Sequence, residues 1–156
     1  MASIKFSEKI LVDRDPGSVF DYTQDYSNRL SWDTFLKTAE LLNGAERAGA
    51  GVKAWCVARN GLGMETEYVT FNRPKTTAIK MTKGPFMFKA FLGSWVFKEM
   101  DNGQTEVTFL YSYQLRFPFN LVPRIIKNNL QNNVKQRLRD LKACVEKGPQ
   151  ASGNEK

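Results

Sequence analysis

The chain has 156 residues, of which 42% are hydrophobic and 25% are charged, which is the composition of one globular domain. It contains no histidine, and this excludes a His-activated nucleophile, His acid/base catalysis and the commonest zinc sites. The 23 basic and 16 acidic residues give a formal net charge of +7, which favours anionic partners without indicating a fold.

The first element in chain order is a strand. Residues 3–13 alternate between apolar and polar side chains, with Glu8 as the one polar residue on the apolar face. Asp15 and Pro16 follow as an N-cap and a first-turn proline, which predicts a short helix. A second short helical turn is predicted over residues 27–32.

Residues 35–117 carry the signals of six further strands joined by short turns. We predict them over residues 35–43, 52–59, 63–71, 76–82, 86–100 and 105–117. Asn60 and Gly61 predict a tight type I′ hairpin turn, in which both residues need positive φ. In the last strand, apolar and aromatic residues from Val107 to Phe117 share one face, and polar residues share the other apart from Leu110. This pattern is typical of an antiparallel sheet with one face in solvent.

One long helix is predicted after the last strand, over residues 120–147, with Asn120 as its cap. Apolar residues recur at spacings of three and four and form a single stripe: Val122, Ile125, Ile126, Leu130, Val134, Leu138, Leu141 and Val145. At ~1.5 Å per residue such a helix spans about 40 Å, which is enough to cross a curved sheet.

The order of the elements predicts an α+β fold. We expect a curved antiparallel sheet of about seven strands, two short helices after the first strand, and the long C-terminal helix across the concave face. Residues 1–147 would form this single domain. The small and polar residues of 148–156 predict a disordered tail.

The cysteines and the apolar segments indicate the compartment. Cys56 and Cys144 form no metal or redox motif, so we expect free thiols. The N-terminal residues contain no apolar segment of signal-peptide length, and no stretch reaches the roughly 18 apolar residues of a membrane span. We therefore expect a cytoplasmic protein.

Several short motifs accompany this order of elements. They are Val12, Asp15–Pro16, Val19–Phe20, Trp32, Pro74, Gly93-Ser94-Trp95-Val96-Phe97 and the run from Asn102 to Phe109. Together they resemble the START-like (SRPBCC) helix-grip superfamily, in particular its polyketide cyclase/dehydrase-type group, over residues 4–145. The resemblance implies a cavity for an apolar or amphipathic small molecule between the sheet and the long helix. Members include lipid carriers, quinone-binding proteins and aromatic cyclases.

Candidate ligand-binding residues lie on the predicted inner faces. The aromatic candidates are Trp32, Phe35, Trp55, Phe88, Trp95, Phe109, Tyr111 and Tyr113. On the long helix, Asn129 and Asn133 flank the apolar stripe beside Ile126 and Leu130, and their carboxamides can hydrogen-bond a ligand carbonyl or hydroxyl. The alternative is plain core packing for each aromatic residue and a solvent-facing helix edge for each asparagine.

Glu67 is a weak candidate for a catalytic base. Val69 and Phe71 place it on the inner face, whereas Met64 and Tyr68 place it on the outer face. A bulge near Tyr68 would reconcile the two phases. On the inner face, burial would raise the pKa of Glu67, and otherwise it is a surface glutamate.

The sequence favours binding or transport of a hydrophobic small molecule, such as a lipid, a quinone or a polyketide-like aromatic. We expect no cofactor and no metal. The first alternative is a cyclase or dehydratase, with Glu67 or a tyrosine as acid or base and Asn129 or Arg116 polarising a carbonyl. Whether the protein is an enzyme is left open.

A second alternative is an interaction module that uses the basic surface. Nucleic acid is a disfavoured partner, because the aromatic–basic signature of known RNA-binding modules is missing. The apolar run of residues 86–92 beside Lys83 leaves peripheral membrane contact open. The oligomeric state is not predicted.

Overall fold

Seven antiparallel strands form one sheet. The computed structural model describes the backbone of residues 3–154 and the side chains of residues 3–147. In chain order the elements are β1 (Ile4–Val12), α1 (Pro16–Gln24), α2 (Arg29–Trp32), β2 (Leu36–Leu41), β3 (Lys53–Ala58), β4 (Gly63–Asn72), β5 (Thr76–Lys83), β6 (Phe88–Glu99), β7 (Thr105–Leu115), a 3₁₀ turn (Phe119–Leu121) and α3 (Pro123–Asn154). The strand order is β1-β7-β6-β5-β4-β3-β2, so β2 to β7 form a meander and β1 pairs with the last strand. The predicted α+β helix-grip fold is confirmed.

Local signals placed the start of α1 correctly. The Asp15 carboxylate accepts a hydrogen bond from the Ser18 backbone N–H at 3.0 Å, and Pro16 occupies the first turn. Hydrogen bonds from Ser18 hold the pKa of Asp15 below its usual range. The N-cap and the proline therefore stop β1 and turn the chain across the end of the sheet.

Strand β7 has the regular alternation that the sequence predicts. Every second residue from Thr105 to Leu115 is buried, and the residues between them are half-buried. The prediction was wrong at its end, because β7 stops at Leu115 and the Phe117 side chain is 69% exposed.

The start of α3 also differs from the prediction. Asn120 does not cap the helix, since it lies in the 3₁₀ turn and α3 begins at Pro123. Val122 and Ile125, predicted on the inward stripe, are 41% and 67% exposed. The inward stripe begins at Ile126, because the first turn of α3 lies against the 3₁₀ turn and not over the sheet.

The turn between β3 and β4 is not type I′. Of its two central residues only Gly61 has positive φ, at 94°. The Gly61 N–H donates to the Ala58 carbonyl at 2.9 Å, and the Ala58 N–H donates to the Leu62 carbonyl at 2.9 Å. This is the pattern of a type I turn followed by a bulge glycine, which adds one residue to the loop.

The C-terminal end of α3 reaches Asn154, although disorder was predicted from residue 148. Side chains beyond Lys147 and residues 155 and 156 lie outside the described part of the chain, so the disordered tail stays a prediction. None of the helices within the described residues is long and apolar enough to cross a membrane.

Helix α3 packs mainly along β1, with smaller contacts to β7, α1 and α2. A closed core fills the space at this side of the sheet. It contains Val12, Val19, Phe20, Val107, Val134, Leu138, Leu141 and Val145, all with at most 2% of their surface exposed. The inner faces of the middle strands lie farther from α3. The candidate site lies in the space between these strands and the helix.

Candidate functional site

A cavity of about 200 Å³ lies between the inner face of the sheet and α3. Strands β2 to β7 supply most of its wall, and α3 supplies Asn129, Leu130, Asn133 and Arg137. A cavity of about 150 Å³ lined by apolar side chains can hold benzene. The cavity therefore has room for one or two small rings or a short chain.

The cavity has a polar mouth. A shallow depression of about 350 Å³ shares Phe35, Asn60, Asn129, Asn133 and Arg137 with the cavity. Its outer wall adds Thr34, Arg59 and Gln136. The cavity therefore opens between α3 and the β3–β4 turn, through a rim of amides and a guanidinium.

A buried ion cluster forms one end of the cavity. The Asp33 carboxylate accepts hydrogen bonds from Arg29 Nε at 2.9 Å, from Arg137 Nε at 3.0 Å and from Arg137 Nη2 at 2.8 Å. Arg137 Nη1 donates to the Tyr111 hydroxyl at 2.7 Å. Asp33 is fully buried, and Arg29 and Arg137 are 6% and 5% exposed. The cluster joins α2, α3 and β7 through charge-assisted hydrogen bonds.

The charges in this cluster are mutually stabilised. Burial alone would raise the pKa of Asp33, but Arg137 and Arg29 outweigh it and hold this pKa below its usual range. Burial opposes the charge on both arginines, yet the Asp33 carboxylate keeps the pKa of each above its ordinary value. Two guanidinium groups face one carboxylate, so the cluster carries one net positive charge.

A chain of hydrogen bonds between neutral side chains lies beside the ion cluster. The Tyr68 hydroxyl donates to Gln24 Oε1 at 2.6 Å and lies 3.3 Å from the Tyr26 hydroxyl. Gln24 Nε2 donates to Thr23 Oγ1 at 2.8 Å. Burial raises the pKa of Tyr26, and raises that of Tyr68 well above its usual value, so both phenols stay neutral at pH 7.

Most of the predicted ligand-binding residues line the cavity. They are Phe35, Phe88, Trp95, Phe109, Tyr111, Asn129, Leu130 and Asn133. The Trp95 and Phe109 rings stack at a centroid distance of 4.0 Å and form a flat aromatic wall. Asn133 Nδ2 donates to Asn129 Oδ1 at 3.3 Å, so the two carboxamides act as one unit at the mouth. Ligand binding by these residues stays a prediction.

Four other predicted residues do not line the cavity. Trp32 is fully buried behind it, with its ring edge against Trp95 at 6.1 Å. Tyr113 and Ile126 pack in the hydrophobic core. Trp55 points to the outer face of β3, where its ring lies against Gly63. Three of these residues therefore pack behind the cavity or in the core, and Trp55 lies on the outer face of the sheet.

Glu67 lies on the outer face of β4. Its neighbours Thr66 and Tyr68 line the cavity, and adjacent residues of a strand point to opposite faces. The pairing of β4 with β5 skips Val69, so β4 contains the bulge that was predicted near Tyr68. The bulge returns Phe71 to the core, and it removes the argument that placed Glu67 inside.

Sequence reasoning missed the cavity residues Tyr26, Arg29, Tyr68 and Arg137, and it missed Asp33, which binds both arginines from behind. One signal was available. Arg137 follows Leu130 by seven residues and Val134 by three, so it lies on the inward stripe of α3. Arg29 begins α2 and Asp33 follows its last residue, and the i, i+4 spacing places the two side chains on one side of this helical turn. Within the described residues, no group of three or more Cys, Asp or Glu side chains could hold a metal ion.

Comparisons with known proteins agree with this geometry. The family described as polyketide cyclase/dehydrase and lipid transport matches residues 3–146. A protein of Thermus thermophilus superposes with a TM-score of 0.77 at 19% identity, over 91% of this chain and 97% of that chain. A START superfamily protein of Mycobacterium smegmatis gives 0.76 at 12% identity, over 91% and 97%.

A third similar structure is BexL, a di-domain ARO/CYC protein of the BE-7585A biosynthetic pathway. It superposes with a TM-score of 0.73 at 16% identity, over 93% of this chain and 50% of that chain. At these identities the structural likeness shows the fold. A search of curated proteins found no match. Because the family match spans almost the whole chain, the protein belongs to the polyketide cyclase/dehydrase and lipid transport family.

Proposed function

We propose that the protein binds and carries a hydrophobic small molecule in the cavity between the sheet and α3. The observation that supports this function is the cavity itself, which combines an aromatic and aliphatic wall with a few convergent polar groups. Ligand sites have this composition, since apolar walls supply affinity and the polar groups orient the ligand.

The dimensions of the cavity narrow the predicted ligand classes of lipid, quinone and polyketide-like aromatic. Its volume of about 200 Å³ is below the ~300–1,000 Å³ of typical drug-sized sites. A compact ring system or a short acyl chain fits without rearrangement. Met64 and Met87 lie in the wall, and their flexible side chains allow a somewhat larger body to enter.

The test is fluorescence titration with 1-naphthylamine, a two-ring probe that is neutral at pH 7 and matches the size of the cavity. We expect enhanced, blue-shifted probe emission with the wild-type protein. Leu130→Trp places an indole in the cavity wall and should weaken binding by roughly tenfold or more, which is about 1.4 kcal/mol. Val96→Trp is the matched control, because Val96 is 41% exposed on the outer face of β6.

Two results would contradict the proposal. One is an unchanged probe spectrum together with no thermal stabilisation by a panel of ring and chain compounds. The other is equal loss of binding in Leu130→Trp and Val96→Trp. Circular dichroism of both variants establishes that each remains folded.

A cyclase or dehydratase acting on a polyketide-like substrate is the second candidate. The Arg137 guanidinium and the Tyr111 hydroxyl reach the cavity, and they can polarise a carbonyl or donate a hydrogen bond. Glu67 and Arg116 do not take part, since Glu67 lies outside and Arg116 lies over the Phe86 ring at the surface. Incubation with poly-β-ketone thioester mimics should give a cyclised or dehydrated product by mass spectrometry, and Tyr111→Phe should slow its formation. An unchanged substrate would exclude this activity.

A further inference from the structure

We propose that the ligand of the cavity carries one negative charge, as a carboxylate or an equivalent acidic group, held by Arg29 and Arg137. This inference rests on the proposed function of ligand binding in the cavity. It adds the chemical class of the ligand: a small amphipathic monoanion with a ring-sized or short-chain apolar body.

The charge balance of the cavity wall is the first argument. Arg29 and Arg137 line the cavity, whereas none of its described lining residues is Asp or Glu. Asp33 neutralises one of the two arginines and leaves one positive charge in a low-dielectric site. An uncompensated buried charge is costly, and an anion bound beside it removes that cost.

The geometry of the cluster is the second argument. Asp33 is fully buried and does not line the cavity, so it binds both arginines from behind. The Arg137 guanidinium lies between the Phe35 and Phe109 rings, at 4.9 and 5.1 Å from their centroids. Aromatic faces and the carboxylate fix the orientation of the guanidinium before a ligand arrives, and this favours directional binding of an acidic group.

The neutral groups around the cluster are the third argument. The Tyr68 and Tyr111 hydroxyls line the same cavity, and the Arg29 guanidinium lies 5.1 Å from the Trp32 ring. Burial keeps the Cys56 thiol protonated, because it raises its pKa. No negative charge from these groups competes with a ligand anion. The Tyr111 hydroxyl accepts its hydrogen bond from Arg137 and therefore keeps its own O–H to donate to a ligand.

The experiment compares matched acid and alcohol ligands by displacement of 1-naphthylamine at pH 7. The pairs are 1-naphthoate with 1-naphthalenemethanol and octanoate with octanol. We expect each acid to bind roughly tenfold more tightly than its alcohol. Arg29→Met should abolish this preference while alcohol binding persists, and Arg29→Lys, which keeps the charge, should retain part of it. Arg73→Met, which removes an exposed arginine, is the control for net charge.

The possible results distinguish the proposal of an acidic ligand from the proposal of a hydrophobic carrier. Equal binding of acids and alcohols overturns the acidic ligand and leaves the hydrophobic carrier intact. Failure of every ligand and of the fluorescent probe overturns the carrier function itself. An acid preference that survives in Arg29→Met and disappears in Arg73→Met places the anion on the surface and overturns the assignment to the cluster.

A separate observation supports a second proposal. Large apolar side chains are exposed along one edge of the molecule, in the segment before β6, the 3₁₀ turn and the start of α3. This apolar ridge consists of Phe86, Phe117, Phe119, Leu121, Val122 and Ile125, of which Phe86, Phe117, Leu121 and Ile125 are each more than two-thirds exposed. Exposed apolar groups at this density mark a contact surface.

The charges near the apolar ridge identify its partner. Residues 84–98 and 107–139 contain no Asp or Glu, and Lys89, Arg116, Arg124 and Lys127 lie in these segments. The Arg116 guanidinium is 5.4 Å from the Phe86 ring. We infer that the ridge docks on an anionic bilayer, with apolar side chains inserted and basic groups at lipid phosphates. Pro85, Met87 and Leu130 connect this edge to the cavity wall, so a docked protein can exchange ligand with the membrane.

Vesicle flotation tests this docking surface. The wild-type protein should float with vesicles of mixed phosphatidylcholine and phosphatidylglycerol, and less with phosphatidylcholine alone or at high salt. The double variant Phe86→Ser with Ile125→Ser should bind roughly tenfold more weakly. Leu11→Ser is the matched control, because Leu11 is 43% exposed outside the ridge. Failure of the wild type to float, or equal binding by the double variant, contradicts the proposal. A wild-type dimer that the double variant loses would assign the ridge to self-association instead.

Discussion

The closed core and the cavity occupy two ends of one concave surface, and they are built from different side chains. Beside α3 and β1, aliphatic residues such as Val107, Val134 and Leu138 interdigitate and leave almost no exposed surface. Over the middle strands, flat rings such as Trp95 and Phe109 stack and leave space between the sheet and the helix. Helix α3 therefore closes only the part of the sheet along which it packs.

Polar groups follow the same division. The side chains with buried hydrogen-bonding or ionic networks, including Asp33, Arg137 and Tyr68, lie around the cavity. The closed core consists of residues whose side chains need no partner. A polar network beside an empty volume costs more to build than an apolar wall, which is the physical reason to assign function to this end.

The largest expected effect comes from removing the charge that holds the cavity end together. Asp33→Asn leaves two buried arginines without a counter-charge, and should lower the free energy of unfolding by about 3–5 kcal/mol. Asp21→Asn is the matched control, since Asp21 pairs with Arg73 at 2.7 Å in an exposed position, and such a pair contributes about 0–1 kcal/mol. Urea unfolding of both variants measures the difference. Equal losses would show that burial does not distinguish the two pairs.

The next largest effect on stability distinguishes the packing of the closed core from the packing of the cavity wall. Leu138→Ala in the closed core should cost about 2–5 kcal/mol, because it leaves a void among rigid neighbours. Leu130→Ala in the cavity wall should cost clearly less, since Leu130 is half-buried and already borders open space. Chemical denaturation gives both values. If Leu130→Ala lowered the free energy of unfolding as much as Leu138→Ala, Leu130 would not border an open cavity.

Two buried tyrosines provide a matched pair of variants with a smaller expected effect on stability. Tyr68→Phe removes the donor to Gln24 and leaves a buried amide oxygen unpaired, at a cost of about 1–3 kcal/mol. Among the described residues the Tyr113 hydroxyl is buried without a hydrogen-bond partner. Tyr113→Phe should therefore be neutral or stabilising in thermal unfolding. A destabilised Tyr113→Phe would indicate a partner for that hydroxyl.

The smallest effect is the pH dependence of the ion cluster. The pKa of Asp33 is lowered in the folded state. The contribution of its carboxylate to the free energy of unfolding is therefore complete above the unfolded pKa of about 3.9. The contribution is lost as the pH falls through the folded pKa. The difference in unfolding free energy between wild type and Asp33→Asn should hence shrink in acid. A difference that stays constant between neutral pH and pH values below the unfolded pKa would contradict the role of this carboxylate.

Local patterns predicted much of the fold. The strict alternation from Thr105 to Leu115 identified β7, and Asp15 with Pro16 identified the start of α1, because each signal depends on neighbouring residues alone. The aromatic wall at Trp95 and Phe109 could also be predicted from strand phase.

Other features needed the folded chain. Trp55 faces outward because the phase of β3 depends on its pairing, and the bulge at Val69 decides which side of β4 carries Glu67. Ile125 fits the apolar stripe of α3 by spacing, yet its side chain is 67% exposed, and the buried part of the stripe begins one residue later at Ile126.

The order of the elements and the one-sided faces of the sheet follow from periodicity, and the resemblance to the family follows from short motifs along the chain. The places where the interior stays open, and the charges that meet there, depend on how distant elements pack. Asp33 lies more than a hundred residues from Arg137, and the hydrogen bonds of Arg137 to Asp33 and Tyr111 exist only when α2, α3 and β7 are brought together. Contacts between distant segments depend on how the elements pack, and no local pattern encodes that packing.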